Sequence, residues 1–374
     1  MLSRIKFSIE PLVDEILDQL PAEVWTNKTS TFLDPAIGGG QFVRAIEARL
    51  RAAGHSDENI SGRVYGCESS ILHINYAVNK YNLAGTYSVG DFLLQDYNGM
   101  KFDVVVGNPP YQGKAETHQK FFNKSVTITV DGGTVIFIQP ATPYFNKKES
   151  IRSGAKEMLA NVKKYQTSVK IVKGSVFENA GIFTSLAITT LKKEINDSGV
   201  LLEYQSESGS TYTNIDIESV NMLEMNPDIY KSLVTKVFSV IKQNNSLQSL
   251  VTTSTLDKKL YVQKVRGHIN HIDFYTFLSK DKKYWKMDAS SDYGIKVKNS
   301  DELKSLISYL TSYVARFCLA IYKFNGNNHM GEFKSVPLVT FNKTWDDQEL
   351  CSYFGITQLE YQEITRCIPK YYDQ

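Results

Sequence analysis

Residues Asn108-Pro109-Pro110-Tyr111 follow the apolar run Phe102-Asp103-Val104-Val105-Val106-Gly107. A buried strand that ends in two prolines leaves its last polar side chain and carbonyl without a ladder to join. Asn108 then offers a side-chain carbonyl, and Pro109 a backbone carbonyl whose direction the restricted rings fix. Two acceptors held side by side suit an exocyclic NH2 group, and Tyr111 adds a flat face on which a heterocycle can stack. Taken alone, the same four residues also fit a strand, a Pro-rich turn and a core tyrosine.

Three upstream features bear on that choice. Asp34-Pro35-Ala36-Ile37-Gly38-Gly39-Gly40 lies between a strand signal and a helix signal, where glycines let the backbone approach a ligand at the helix N-terminus. It is neither a G-x-G-x-x-G turn nor a phosphate loop, because no Gly-Lys-Ser/Thr follows. Glu68, at the end of Val64-Tyr65-Gly66-Cys67, stands where dinucleotide folds place the acid that binds ribose hydroxyls. Asp91 can accept from an adenine amino group while Phe92 packs on the ring. Each also has a plain structural reading: Glu68 as a helix cap, Asp91 as a turn residue, Phe92 as core. Their order decides the matter, since they follow four successive strand signals and open parallel sheets bind ligands at strand carboxyl ends.

The elements that position them alternate. Strands are expected at Thr31–Leu33, Arg63–Cys67, Tyr87–Val89, Val104–Val106 and Gly133–Ile138, with two more at Val169–Val172 and Ser185–Leu191. Helices are expected at Gln41–Ala53, Leu72–Tyr81 and Gln119–Val130. Such alternation implies a parallel sheet with crossovers. Past Lys193 the texture changes: Val200–Tyr204 is strand-like, Asp228–Lys242 is amphipathic and helical, and Ser246–Asn299 is polar, basic and rich in Tyr and His. Helices around Leu303–Tyr322 and Asp347–Ile368 close the chain. A boundary near Asn196–Gly199 divides a catalytic domain, 1–196, from a second domain, 197–374.

Net charge is +2 over 374 residues, but Lys/Arg exceed Asp/Glu by 21 to 15 in residues 151–298. That excess fits a polyanion partner and equally fits solvated lysines. Cys67, Cys318, Cys351 and Cys367 form no C-x-x-C pair and no zinc spacing, which reads as free thiols in a reducing cytoplasm with no metal. The best apolar window, Tyr309–Phe324, is too short for a bilayer and contains Arg316, so no membrane partner is expected.

With these motifs in order, the chain resembles the S-adenosylmethionine-dependent amino-methyltransferases of DNA, in particular the adenine-N6 enzymes of restriction–modification type. The resemblance covers residues 5 to about 192. It implies an α/β, Rossmann-like class I methyltransferase fold with a mostly parallel seven-stranded sheet and a C-terminal α+β DNA-recognition domain. By resemblance, Asp34, Pro35, Ala36, Gly38 and Gly40, with Phe42 behind them, hold the methionine part of S-adenosylmethionine. Glu68 and Ser69 serve the ribose, Asp91 and Phe92 the adenine, and Asn108 to Tyr111 form the catalytic motif, with Asn108 also near the cofactor. Phe7-Ser8-Ile9-Glu10-Pro11-Leu12-Val13 is similar to the family's first cofactor motif, with Ile9 where a proline is usual. Gly39 and Ile37 also depart, from Ser/Thr and Cys.

The implied reaction methylates the N6 amino group of adenine in a specific double-stranded DNA sequence after base flipping, which costs a few kcal/mol. Cytosine-C5 chemistry needs a nucleophilic cysteine, and none of the four follows a proline as that motif requires. Cytosine-N4, protein-glutamine or RNA methylation, and a catalytically silent DNA-binding subunit, stay open. Candidate DNA contacts in the basic second half are Lys258, Lys259, Lys264, Arg266, His268, His271, Lys282, Lys283 and Tyr284, which fit phosphate contacts and plain surface alike. The polar loop Lys323–His329, with Asn325, Asn327 and Asn328, fits a DNA groove but fits an exposed connector between helices better. No nuclease motif is found, so a cognate restriction endonuclease would be a separate protein.

Overall fold

The computed structural model of the protein describes residues 10–111, 117–145, 153–172, 186–197, 199–205, 211–212, 225–252, 259–262, 276–278, 293–321 and 330–368. The chain divides into two compact units. One comprises Met1–Tyr144, Lys148–Gln205 and Gly209–Ile217, and the other Glu218–Gln374 with the short segments Phe145–Lys147 and Ser206–Ser208.

The first unit runs α1 (Glu10–Leu17), α2 (Glu23–Thr26), β1 (Phe32–Asp34), α3 (Gln41–Ala52), α4 (Asp57–Ser61), β2 (Val64–Glu68), α5 (Ile71–Tyr81) and β3 (Thr86–Val89). It continues with β4 (Phe102–Gly107), α6 (Thr117–Thr127), β5 (Thr129–Pro140), α7 (Thr142–Phe145), α8 (Ser153–Lys164) and β6 (Tyr165–Val172). Strands β7 (Leu186–Ile195), β8 (Leu201–Gln205) and β9 (Thr211–Tyr212) complete it. All nine strands form one sheet in the order β3-β2-β1-β4-β5-β7-β6-β8-β9. From β3 to β5 the pairing is parallel, and β7 runs antiparallel to both β5 and β6. This is the class I methyltransferase arrangement. Seven strands were expected; β8 extends the sheet beside β6 and β9 ends it, because β6 would otherwise expose its ladder groups.

Burial explains the strands. Phe32, Val104, Val106, Ile136 and Ile138 pack on one side with Val13, Ile16 and Leu17 of α1 and Val43, Ile46 and Leu50 of α3. The helix expected over Gln119–Val130 ends at Thr127, and the strand begins at Thr129. Gly132 takes φ +79° within that strand, which a helix does not allow.

The second unit contains α9 (Pro227–Asn244), a four-stranded antiparallel sheet of β10 (Val251–Thr252), β11 (Lys259–Val262), β12 (Thr276–Leu278) and β13 (Tyr293–Lys296), then α10 (Ser300–Thr311), α11 (Tyr313–Ala320), α12 (Asp347–Phe354) and α13 (Gln358–Cys367). Tyr309, Phe317, Leu319, Phe333 and Leu350 belong to its core. The two closing helical stretches each split in two. Ser312 is extended and its hydroxyl accepts from Ala315 N, capping α11. Gly355 at φ +67° ends α12, and Thr357 with Glu360 forms a capping box that starts α13. Among the described residues, no helix is long and apolar enough to cross a membrane.

Candidate functional site

The chain builds outward from β1 through β2 to β3, then returns to place β4 on β1's other side. The switch point therefore lies between the carboxyl ends of β1 and β4, where doubly wound sheets bind ligands. Asp34 ends β1, Glu68 ends β2, Asp91 follows β3 by one residue and Asn108 follows β4 directly. The four strand ends are neighbours, so the four motifs line one edge.

The Gly-rich turn is tied to both flanking strands. Asp34 Oδ1 accepts from Ala36 N at 2.9 Å, Ile37 N donates to the Cys67 carbonyl at 3.2 Å, and Gly38 N donates to Glu68 Oε2 at 3.0 Å. Gly40 caps α3 at φ +85°, and a Cβ there would lie 2.6 Å from Ala77 Cβ, so both conformation and space demand glycine. Gly107 meets the same demand for space alone: its Cβ would lie 2.8 Å from Asp34 Oδ1. Bare backbone at Gly107 is what lets β4 deliver Asn108 beside Asp34. Pro35 and Phe42 are buried beneath the turn.

Glu68 is committed in part to the chain itself. Besides Gly38 N, its carboxylate accepts from Ser69 Oγ at 3.0 Å and Ser70 N at 3.1 Å, with His73 Nδ1 at 3.5 Å. It braces the turn and keeps acceptor capacity for a hydroxyl. Asp91 is exposed, with Oδ1 accepting from Leu93 N at 2.9 Å. Phe92 departs from its expected place on a ligand ring, because its side chain is 1% exposed and packs 4.9 Å from the ring of Phe121.

At the switch point two buried oxygens have no hydrogen-bond partner among the described residues, Asp34 Oδ2 at the end of β1 and Asn108 Oδ1 just past β4. Leaving such an atom unpaired costs about 1–3 kcal/mol, and two of them flank the switch point. Burial pushes the Asp34 carboxyl up to about 7, helped by the nearby Glu68 and opposed by the Ala36 amide. A buried acid of that kind suits a cationic group, and an orphan amide oxygen suits an N–H donor. The ammonium-bearing methionine part of S-adenosylmethionine meets the first requirement and an amino substrate the second. Tyr111 donates its hydroxyl to the Ile138 carbonyl at 3.0 Å, which fixes the ring, and burial pushes its phenol well above the usual range.

Phe7 and Ser8 lie outside the described residues, as do Lys258, Lys264, Arg266, His268, His271, Lys282, Lys283, Tyr284, Asn325, Asn327 and Asn328. Lys259 opens β11. Sequence reasoning missed two residues that shape the site. Glu47, fully buried on α3, accepts from Ala84 N, Gly85 N, Tyr87 Oη and Arg51, anchoring α3 to the start of β3. Lys124 on α6 holds the loop after β3. No local signal marks it, because its acceptors lie about thirty residues upstream.

Residues 55–177, from just before α4 to just past β6, match the family model described as Eco57I restriction-modification methylase. No curated protein matches the chain. Among solved structures it is similar to a protein described as the modification subunit of a type I restriction enzyme from Vibrio vulnificus YJ016, with a TM-score of 0.43 and 16% identity over 54% of this chain and 47% of that one. The EcoKI M protein of a type I restriction enzyme gives 0.43 and 14% over 54% and 49%. The methyltransferase subunit of a type I system from Streptococcus thermophilus gives 0.38 and 16% over 57% and 53%. This chain spans about half the length of each of these three. S-adenosylmethionine is the cofactor of this fold and family, and the orphan acceptors fit it. The stretch that matches this family model, residues 55–177, carries Glu68, Asp91 and Asn108 and lies within the nine-stranded sheet.

Proposed function

We propose that this protein methylates the N6 amino group of adenine in double-stranded DNA, with the target base rotated out of the helix. The observation that carries the reading is the pair of orphan oxygens, Asp34 Oδ2 and Asn108 Oδ1, at the ends of adjacent strands. The cofactor supplies a methyl group on a sulfonium sulfur. Asp34 binds and orients the cationic end of the donor. Asn108 Oδ1 and the Pro109 carbonyl accept the two N–H groups of the adenine amine. Those bonds draw the nitrogen toward a tetrahedral shape and aim its lone pair at the methyl carbon. They also stabilise the positive charge that develops as the bond forms. The held Tyr111 ring offers the extruded base a stacking face, worth about 1–3 kcal/mol. After transfer the amine loses its proton to water.

The second unit, with the basic stretch that precedes α10, is the proposed target-recognition domain; it begins at Glu218, later than the 197 read from the sequence, because β8 and β9 belong to the first sheet. Asp34, Pro35, Ala36, Gly38, Gly40, Phe42, Glu68, Ser69, Asp91 and Phe92 remain the proposed cofactor residues, Phe92 acting by supporting its loop from beneath. A cognate endonuclease is proposed as a separate partner.

The test is to incubate the protein with methyl-labelled cofactor and plasmid DNA, RNA or a glutamine-bearing release-factor-type protein, then digest the DNA to nucleosides. Label in N6-methyladenine is the expected result. Label in N4-methylcytosine corrects the base, and label on protein or RNA alone overturns the reading. DNA binding without any transfer would assign the silent-subunit role.

A further inference from the structure

Loop 91–95 carries Asp91 to the cleft without belonging to strand or helix, so its carbonyls have no ladder. One face of it is closed by its own turn: Asp91 O accepts from Leu94 N at 2.9 Å and from Gln95 N at 3.0 Å, and Asp91 Oδ1 from Leu93 N. The other face is gathered by a single side chain from another element. Lys124 Nζ, on α6, donates to Phe92 O at 2.6 Å, Gln95 O at 2.6 Å and Leu93 O at 3.2 Å. An ammonium has three N–H donors, and all three are used. Phe92 lies beneath the same ammonium, 5.0 Å from ring centroid to Nζ, and the Tyr97 ring is 5.9 Å away. Burial draws the amine's pKa down, opposed by Cys67, Asp91 and Asp96.

We infer that Lys124 is a positioning residue for methyl-donor binding: it holds the carbonyls of loop 91–95, and with them the exposed Asp91 just past β3, in one conformation. The inference rests on the functional reading above. It goes further because α6 begins six residues after Tyr111, the last residue of the amine-binding motif. Lys124 thereby joins the helix that follows the acceptor motif to the loop that faces the donor's adenine. All three Lys124 donors are spent on this loop, so its role is to position rather than to bind.

Replacement by methionine keeps the aliphatic stem and removes the donors, and replacement by arginine keeps donors and charge. The experiment measures S-adenosylmethionine binding by calorimetry, steady-state kinetics on plasmid DNA and thermal melting, for wild type, Lys124→Met and Lys124→Arg. Expected for Lys124→Met is a cofactor Kd raised on the order of tenfold or more, from the loss of charged hydrogen bonds. Its kcat at saturating cofactor stays within about threefold, since no group that touches the reacting atoms has gone. Lys124→Arg recovers most of the affinity. Unchanged cofactor affinity in Lys124→Met, with wild type binding normally, overturns the role. So does an equal loss in both variants that tracks a fall in melting temperature, because that marks general packing. If wild type itself binds no S-adenosylmethionine, the functional reading fails first and the role of Lys124 falls with it.

Discussion

If Asp34 holds the cationic end of the donor as proposed, donor binding should depend on pH in a direction set by the burial of its carboxyl. Its pKa rises from 3.8 to about 7, chiefly through desolvation. A group whose folded-state pKa is raised adds stability that is fully present below its unfolded value and lost as pH rises through the folded one. The unliganded protein should therefore lose stability between about pH 4 and pH 7, on the order of 4 kcal/mol from this group. Binding a cation reverses the preference, because only the carboxylate attracts it. Below about 7 each bound donor must first displace a proton, so S-adenosylmethionine should bind about 25-fold more weakly at pH 5.5 than at pH 7.5. Calorimetric titration at intervals across that range measures the slope. Asp34→Asn should flatten it, bind weakly throughout, and melt higher than wild type at pH 8, because a neutral isostere carries no buried charge. Methylthioadenosine, which lacks the amino-acid part, should show no slope with wild type. A pH-independent Kd in wild type, or the same slope in Asp34→Asn or with methylthioadenosine, refutes the assignment of Asp34 to the cationic end.

Asn108→Ala removes an orphan acceptor and should lower kcat on DNA by about a hundredfold or more, measured with saturating cofactor. Gly40→Ala forces a side chain into φ +85° and against Ala77 Cβ at 2.6 Å, and should cost about 2–4 kcal/mol in urea unfolding. Adding Ala77→Gly should return only the steric part. Glu360 feels desolvation that raises its pKa, yet hydrogen bonds from Lys236, Thr357 and Ser232 outweigh it and hold the group at about 2. That stability is present above about pH 4.5 and lost as pH falls toward 2, so Glu360→Gln should flatten the acid limb of the unfolding profile.

The strands that carry the site were legible because each central one is an unbroken apolar run, and the chemistry-bearing residues stand where those runs stop. Val104 to Val106 followed by Gly107-Asn108 is the clearest case. Local periodicity misplaced the junction of α6 and β5, since Ile128 and Val130 continue the spacing of Phe121 and Val126 and nothing local says the chain has reversed its hydrogen-bonding pattern. Val200–Tyr204 was recognisable as a strand but not as part of the first sheet, because its partner residues on β6 lie thirty-three positions upstream and edge pairing leaves no mark in either segment. Phe92 looked like a ligand-stacking ring when only its backbone neighbours were considered. Its burial depends on Phe121, and Lys124's three acceptors on residues about thirty positions away, so both are tertiary facts.

Phe32 pairs with Val104, so the crevice between β1 and β4 closes across seventy-two residues of chain. During synthesis the N-terminal strand must wait for β4 to leave the ribosome before either wall of the site exists, and loop closure over that span makes the pairing slow relative to local helix formation. An emerging chain can hold a formed Gly-rich turn yet have no place to bind its methyl donor. Cofactor affinity is therefore a report on the completed central pairing, and a nascent or truncated chain ending before Asn108 should be blind to S-adenosylmethionine however much of its helix content has formed.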